Sequence, residues 1–272
     1  MSYANDRPRL ARLEALSPAH NRRMKATPGT LQEGGANFTT THWSVLAQSA
    51  LTDLPEAKNA LAQLCETYWP PIYSFIRRRG YAPSDAQDLT QSFFAYFLRT
   101  KDYAHVDPVH GRFRSFLLAS VKHFLANDWD REQALKRGGN YQFVSLNSET
   151  AEGSYDPAGA PDLTAERLFD LRWATTLATG ALNSLRQELE GEGKVKLFEQ
   201  LSSFLTGGSV IPSYDEVSAS TGLPRATVKT HVHRLRLRYR EIMRGEVGRT
   251  VSSPDQIDEE LRYLCNILVE MA

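Results

Sequence analysis

Apolar residues recur along this chain mostly at spacings of three and four positions, and stretches that alternate apolar and polar residues are almost absent. Such spacing is typical of helices with one buried face. The best strand-like exception is the short stretch 141–146. The sequence therefore predicts an all-α fold. The longest stripe predicts a helix from residue 112 to about 136 and consists of Phe113, Leu117, Val121, Phe124 and Trp129.

Two turn-rich stretches without helical period divide the chain, residues 1–37 and residues 137 to about 162. Gly, Pro and Asp cluster in the second, a composition typical of linkers. The pattern predicts two small helical domains joined by a flexible linker. In chain order we expect a disordered basic arm (1–37), a first helical domain (38–138), the linker (139–162), a second domain (163–250) and an acidic amphipathic C-terminal helix (251–272).

Local signals predict where helices of the first domain begin and end. Pro70 and Pro71 are expected to break or restart the helix that contains Tyr68. Ser84 stands three residues before Gln87, which is the spacing of a capping box at the start of the next helix.

A second set of signals lies in residues 213–235. Ser213 is expected to cap a short helix, residues 221–223 to form a tight turn, and Pro224 to start a second helix. This order predicts a helix-turn-helix. The second helix would turn inward Val228, Val232 and Leu235.

The distribution of charged residues along the chain gives information about possible partners that the net charge does not. Lys plus Arg and Asp plus Glu are equal at 32 each, so the net charge is zero. Residues 225–244, however, hold seven basic residues and one acid, whereas residues 255–270 hold five acids and one arginine. A basic module is thus followed by an acidic tail, and the basic one is the candidate for a polyanionic partner.

Several classes of function find no support in the sequence. Cys65 and Cys265 belong to no metal-ligand or disulfide pattern, which favours a cytoplasmic protein. His231 and His233 would point about 200° apart on a helix, so we expect no metal site there. No motif of nucleophilic, phosphate-binding or zinc-dependent catalysis is present, so we expect neither enzymatic activity nor a cofactor. No apolar run predicts a signal peptide or membrane insertion.

Three segments, in this order, resemble extracytoplasmic-function (ECF) sigma factors of RNA polymerase. The stretch Asp85-Ala-Gln-Asp-Leu-Thr-Gln-Ser-Phe-Phe is similar to the family's polymerase-binding helix, with Gln87 in place of the usual Glu. The stretch Gly111-Arg-Phe-Arg-Ser-Phe-Leu-Leu resembles the family's next helix. In the family this helix opens the promoter duplex and reads the melted element. Residues 213–236 resemble the distal promoter-reading motif, with Thr230 and His231 where Ser and Arg are usual. The likeness covers roughly residues 38–265 and is closest to a longer subgroup with a C-terminal extension.

The resemblance implies three sets of site residues. The polymerase-binding set is Asp85, Asp88 and Gln91. The set for the proximal promoter element is Arg112, Arg114, Phe116, Lys122, Trp129 and Arg131, to which the family adds the specificity loop 102–110. The set for the distal element is Arg225, Thr227, Lys229, Thr230, His231 and Arg234. The alternative to these roles is, for the carboxylates and the basic residues, a place on a solvated helix face. For the aromatic residues the alternative is a place in the core.

The function so implied is a sigma factor whose partners are core RNA polymerase and promoter DNA, with an anti-sigma factor or other regulator as a further candidate. Two alternatives stay open: a DNA-binding regulator or sigma-like decoy that does not initiate transcription, and a protein-interaction module of a signalling complex. Residues 256–270 are expected to form a helix with an apolar stripe. That helix either brings its acids to the basic surface or completes the core of the second domain.

Overall fold

The computed structural model describes residues 42, 43, 45, 46, 55–100, 112–135, 163–207 and 211–270, without the side chains of 56–58 and 128–135. Within these ranges the secondary structure is helical and contains no strand, which confirms the predicted all-α class. The arm 1–37, the loop 102–110, the linker 139–162 and the strand-like stretch 141–146 lie outside the described residues.

The described helices follow one another along the chain without an intervening strand. They are α1 Pro55–Arg78, α2 Pro83–Thr100, α3 Phe113–Leu135, α4 Ala165–Gly191, α5 Val195–Leu201, α6 Ser203–Thr206, α7 Tyr214–Thr221, α8 Arg225–Gly248 and, after a 3-10 turn at Pro254–Gln256, α9 Ile257–Glu270.

Helix α1 does not end or restart at Pro70 and Pro71, so the prediction of a break there is wrong. Two consecutive prolines remove two backbone donors from the helix, at a cost in stability. Packing on both sides of them offsets this cost, because Tyr68, Ile72 and Phe75 are each 0% exposed. Tertiary burial has thus overridden a local signal.

The predicted capping box of Ser84 and Gln87 is also wrong. Helix α2 begins at Pro83, and the Ala86 amide donates to the Ala82 carbonyl oxygen at 2.9 Å. Proline suits the first helical position because its missing N–H would have no partner there. The Ser84 hydroxyl donates instead to Asp85 Oδ1 at 3.4 Å.

Helices α7 and α8 form where the sequence predicts them. The Ser213 side chain accepts a hydrogen bond from the Glu216 amide at 3.2 Å, and the Glu216 carboxylate accepts one from the Ser213 amide at 2.6 Å. Gly222 ends α7 in the left-handed region, with φ of 70°. Glycine adopts the left-handed region without strain. Gly222 and the capping box of Ser213 therefore fix the turn between the two helices.

Buried side chains form two clusters. The first combines α1, α2 and α3 with the N-terminal half of α4 and with the C-terminal parts of α8 and α9. The second combines the C-terminal half of α4 with α5, α6, α7 and the N-terminal half of α8. Helices α4 and α8 therefore contribute to both clusters. The division into two domains at the linker stays a prediction.

Candidate nucleic-acid interface

The basic surface at the start of α8 is built around a buried stripe. Val228 and Val232 are 1% exposed and Leu235 is 8% exposed, so the opposite side of the helix faces solvent. An open cavity of about 450 Å³ lies on one flank of this helix. It is bordered by Tyr214, Arg225, Lys229, Val232, His233 and Arg236.

Contacts with α7 hold the side chains of this flank. Arg225 Nε lies 3.3 Å from Asp215 Oδ1, and Lys229 Nζ lies 5.7 Å from the ring centroid of Tyr214. The Tyr214 ring in turn stacks on Phe204, with centroids 5.1 Å apart. Tyr214 is half-buried, but Arg225 and Lys229 are exposed, so these contacts orient the cations without withdrawing them from solvent.

The predicted distal residues surround the first three turns of α8. Arg225 and Lys229 border the cavity, whereas His231 and Arg234 border a second groove of about 220 Å³ on the side of α4 and α5. Thr230 is exposed, Thr227 is half-buried, and the Thr230 hydroxyl donates to the Ala226 carbonyl oxygen at 3.0 Å.

The sequence-based prediction missed two basic residues of the same flank. His233 and Arg236 border the cavity beside Arg225 and Lys229. Their positions, four and seven residues after Lys229, are the spacing at which side chains share a helix face, and this signal could have found them.

The predicted polymerase-binding residues lie on α2. Asp85 and Asp88 are exposed and Gln91 is half-buried. The other side of this helix is in the core and carries Ala86, Thr90, Phe93, Phe94 and Phe97. The structure therefore leaves both carboxylates accessible.

Arg114, predicted to contact the proximal promoter element, is buried in this structure, with only 6% of it exposed. Its guanidinium group binds Asp170 and, at 2.9 Å, Glu260 Oε1. It also lies 4.4 Å from the ring centroid of Tyr263, whose hydroxyl donates to Asp170. Burial favours the neutral form of Arg114, but the Glu260 hydrogen bond and the nearby carboxylates outweigh burial, and the pKa of Arg114 is raised.

The other described cations of the proximal set are paired as well. Arg112 Nη2 lies 2.7 Å from Glu259, and Arg112 Nε lies 3.1 Å from Glu260 Oε2. Lys122 Nζ lies 2.7 Å from Glu166, and the hydrogen bond lowers the pKa of that carboxyl. The carboxylates belong to α4 and α9, so acids from the second half of the chain pair with all three cations.

The proximal set contains two aromatic residues. One packs on the core, and the side chain of the other lies outside the described part of the structure. Phe116 is half-buried and packs on Trp43, at a centroid distance of 5.0 Å, and on Phe97, at 6.0 Å. Trp129 and Arg131 belong to α3, but their side chains lie outside the described part of the structure.

Helix α9 combines a buried apolar side with acidic contacts. Glu260 is 0% exposed, Leu264 1% and Ile267 2%. At its two ends Asp258 binds Arg244 and Glu270 binds Arg167. The hydrogen bond from Arg244 lowers the pKa of Asp258. Leu264 packs in the first cluster, and of the arginines that the acids of α9 contact only Arg244 belongs to α8. Neither alternative expected for this helix is therefore confirmed.

In the part of the chain that the structure describes, no three His, Cys, Asp or Glu side chains are grouped as ligands for a metal ion. None of the described helices has the length and apolar character needed to cross a bilayer. Cys65 is buried and Cys265 half-buried, and both are free thiols.

Comparison with known proteins gives no relative. No family model matches the chain, and neither a curated protein nor a solved structure matches it.

Proposed function

We propose that this chain is a sigma factor of the extracytoplasmic-function type, which binds core RNA polymerase and directs it to promoters. The observation that carries the proposal is the pair α7 and α8. A short capped helix, a three-residue turn through Gly222 and a long basic helix follow one another. This order of elements supports a helix-turn-helix, a motif whose second helix enters the major groove of DNA.

In this proposal the first turns of α8 read the distal promoter element as duplex. Arg225 and Arg234 can donate two hydrogen bonds each to guanine, while Lys229 and Thr230 can hold phosphates or bases. All four side chains are exposed.

The polymerase would be bound by α2. Asp85 and Asp88 lie on its exposed side, and carboxylates so placed can accept paired hydrogen bonds from arginines of a partner. The segment 102–131 would then capture the melted proximal element. Such a protein works on chromosomal DNA in the cytoplasm, performs no chemistry itself and needs no cofactor.

One observation favours a second candidate, a DNA-binding regulator or decoy that does not initiate transcription. Arg112, Arg114 and Lys122, the cations that would hold the melted strand, are all paired with carboxylates of α4 and α9. The basic surface at the start of α8 is less occupied. A chain with that surface alone would bind duplex DNA without stabilising an open promoter.

The test is run-off transcription with purified core polymerase and a library of upstream fragments from the source genome. A sigma factor yields discrete transcripts that require the chain. Duplex binding without transcripts identifies the regulator, and absence of both leaves a protein-interaction module. Asp85→Arg with Asp88→Arg should abolish the transcripts, whereas Glu190→Arg with Glu192→Arg, an equal charge change on exposed positions of α4 and the residue after it, should not.

A further inference from the structure

One carboxylate in the first turn of α9 contacts two arginines that the proposed function assigns to nucleic acid. Glu260 Oε1 lies 2.9 Å from Arg114 Nε, and Glu260 Oε2 lies 3.1 Å from Arg112 Nε. The exposed Glu259 adds a second contact to Arg112, at 2.7 Å. Each arginine is thus already paired with an anion, as it would be with a phosphate of a nucleic acid.

We propose that α9 is an internal competitor for phosphates: it closes the site of Arg112 and Arg114 in the free chain, and a single-stranded nucleic acid opens it by displacing α9. The proposal rests on the proposed function in so far as that function assigns the two arginines to a melted strand. It adds that the free chain is closed at this site.

An incoming phosphate can replace a carboxylate at these arginines and leave their guanidinium groups paired. A phosphate, like a carboxylate, presents paired acceptor oxygens to a guanidinium group, so either anion can satisfy the same donors. Removing Glu260 without a replacement would leave Arg114 with Asp170 alone and Arg112 with the exposed Glu259 alone, and loss of one partner from a buried ion pair is costly. Displacement by an incoming phosphate keeps the cations paired, and the site therefore favours exchange over spontaneous opening.

The ion pairs of Asp258 and Glu270 are more exposed than those of Glu260, whose side chain is 0% exposed. Asp258 binds Arg244 and Glu270 binds Arg167, and the carboxylate side chains of these pairs are 60% and 55% exposed. Exposed ion pairs contribute little to stability and are weakened by salt. A polyanion can compete for Arg244 and Arg167 first and then for the arginines that bind the buried Glu260.

The segment before α9 is bound to the start of α3. The Phe113 amide donates to the Thr250 carbonyl oxygen at 2.8 Å, and the His42 amide donates to the Arg249 carbonyl oxygen at 2.9 Å. These bonds hold the junction of α8 and α9 beside the residues that carry the two arginines. The bonds of residues 249–250 lie before the N-terminal end of α9, so displacement would begin at the opposite end of the helix, where Glu270 binds Arg167.

The test uses the full chain and a short fluorescent oligothymidylate. Amide hydrogen exchange of residues 257–270 is measured with and without the oligonucleotide, and affinity is measured by fluorescence anisotropy. In the unchanged chain, saturating oligonucleotide should make these amides exchange faster while those of α7 keep their protection. Unchanged protection of α9 in the saturated complex would overturn the proposal.

The informative variant is Asp258→Asn with Glu270→Gln, which loosens both ends and touches neither Arg112 nor Arg114. Loss of two exposed pairs should raise affinity for the oligonucleotide by about three- to tenfold. Its matched control is Glu192→Gln with Glu199→Gln, which neutralises two exposed acids paired with Lys194 and Arg186. Circular dichroism verifies that both variants fold. Equal affinity gains in variant and control would show that net charge alone is responsible, and would also overturn the proposal.

The outcomes separate this proposal from the proposed function. Run-off transcripts together with a protected α9 would support the sigma function and reject displacement. Displacement of α9 without transcripts would support the competitor and reject initiation. If the oligonucleotide binds neither the unchanged chain nor the loosened variant, the site of Arg112 and Arg114 takes no nucleic acid and the competitor role is rejected.

Discussion

The phenol ring of Tyr68 lies flat on the indole ring of Trp173, with centroids 4.0 Å apart and planes inclined by 8°. Tyr68 belongs to α1 and Trp173 to α4, on opposite sides of the linker 139–162, and both side chains are 0% exposed. The hydroxyl of Tyr68 also lies 2.9 Å from His42 Nε2. One aromatic contact thus joins the helices before the linker to those after it.

We expect Trp173→Ala to destabilise the whole chain by about 3–5 kcal/mol, because it removes a large buried ring and leaves a cavity against Tyr68. Urea unfolding followed by circular dichroism measures this loss. Leu237→Ala, at a position that is 42% exposed, is the control and should change the unfolding free energy by less than about 0.5 kcal/mol. A loss below about 1 kcal/mol for Trp173→Ala would show that the site relaxes around the missing ring.

His42 should make stability fall in weakly acidic solution. Burial, assisted by the charge of Arg249, lowers the pKa of His42 to about 4, from 6.5. The folded state therefore holds the ring neutral, and its stabilisation is present above pH 6.5 and is lost as pH falls towards 4. Over this window the unfolded state binds about one proton more, which corresponds to a slope of about 1.4 kcal/mol per pH unit.

The variant His42→Gln should flatten that slope by about one proton, since it removes the titrating group. His123→Gln, on an exposed position of α3, is the control and should keep the slope of the unchanged chain. Urea unfolding at a series of pH values between 4 and 7 measures the slopes. The same slope in His42→Gln as in the unchanged chain would assign the acid sensitivity to other groups.

Local signals predicted the helices and the turn between α7 and α8 because the interactions that fix them are themselves local. The Ser213 cap and the Gly222 turn each depend on partners within a few residues. The break at Pro70 failed for the opposite reason, because the burial that keeps α1 continuous comes from distant helices. Local patterns therefore give element type and order, and tertiary packing decides the exceptions.

The surroundings of the site residues were not predictable in this way. Arg114 is 146 positions from Glu260 and 56 from Asp170, so no spacing rule connects them. A cation at the start of a helix, beside basic neighbours, has the pattern of an exposed nucleic-acid contact. Its burial depends on where α4 and α9 pack, which the periodicity of α3 does not determine.

Polymerase binding should depend on the exposed carboxylates of α2. We expect Asp85→Arg with Asp88→Arg to weaken capture of core polymerase in a pull-down, because like charges would replace the acceptors of its arginines. The melting temperature should stay close to that of the unchanged chain, since both positions are exposed. Retained capture by this variant would reject α2 as the docking helix.

Promoter reading should depend on individual arginines of α8. Arg225→Ala and Arg234→Ala should each lose about 1–3 kcal/mol of duplex affinity and relax the preference at one base position, if they donate to a base. Binding to a randomised duplex pool, followed by sequencing, measures both effects. Arg186→Ala, on an exposed position of α4, is the control. A uniform loss across all sequences would make the two arginines phosphate contacts.

The buried ion network under α9 should respond unequally to loss of its members. Arg114→Leu leaves two buried carboxylates, Asp170 and Glu260, without their shared cation, whereas Glu260→Leu leaves Arg114 still bound to Asp170. Breaking a buried pair by removing one partner costs about 3–5 kcal/mol. We therefore expect both variants to be destabilised, and Arg114→Leu more than Glu260→Leu.

The double variant Arg114→Leu with Glu260→Leu completes the cycle. Because neither partner then remains to be left unpaired, its loss of unfolding free energy should be smaller than the sum of the two single losses, with a coupling of about 0.5–3 kcal/mol. Urea unfolding of the three variants and the unchanged chain provides all four values. Additive losses would mean that the two side chains are stabilised independently, Arg114 by Asp170 and Glu260 by Arg112. In that case α9 is held to α3 through Arg112, and variants of that residue would carry the coupling instead.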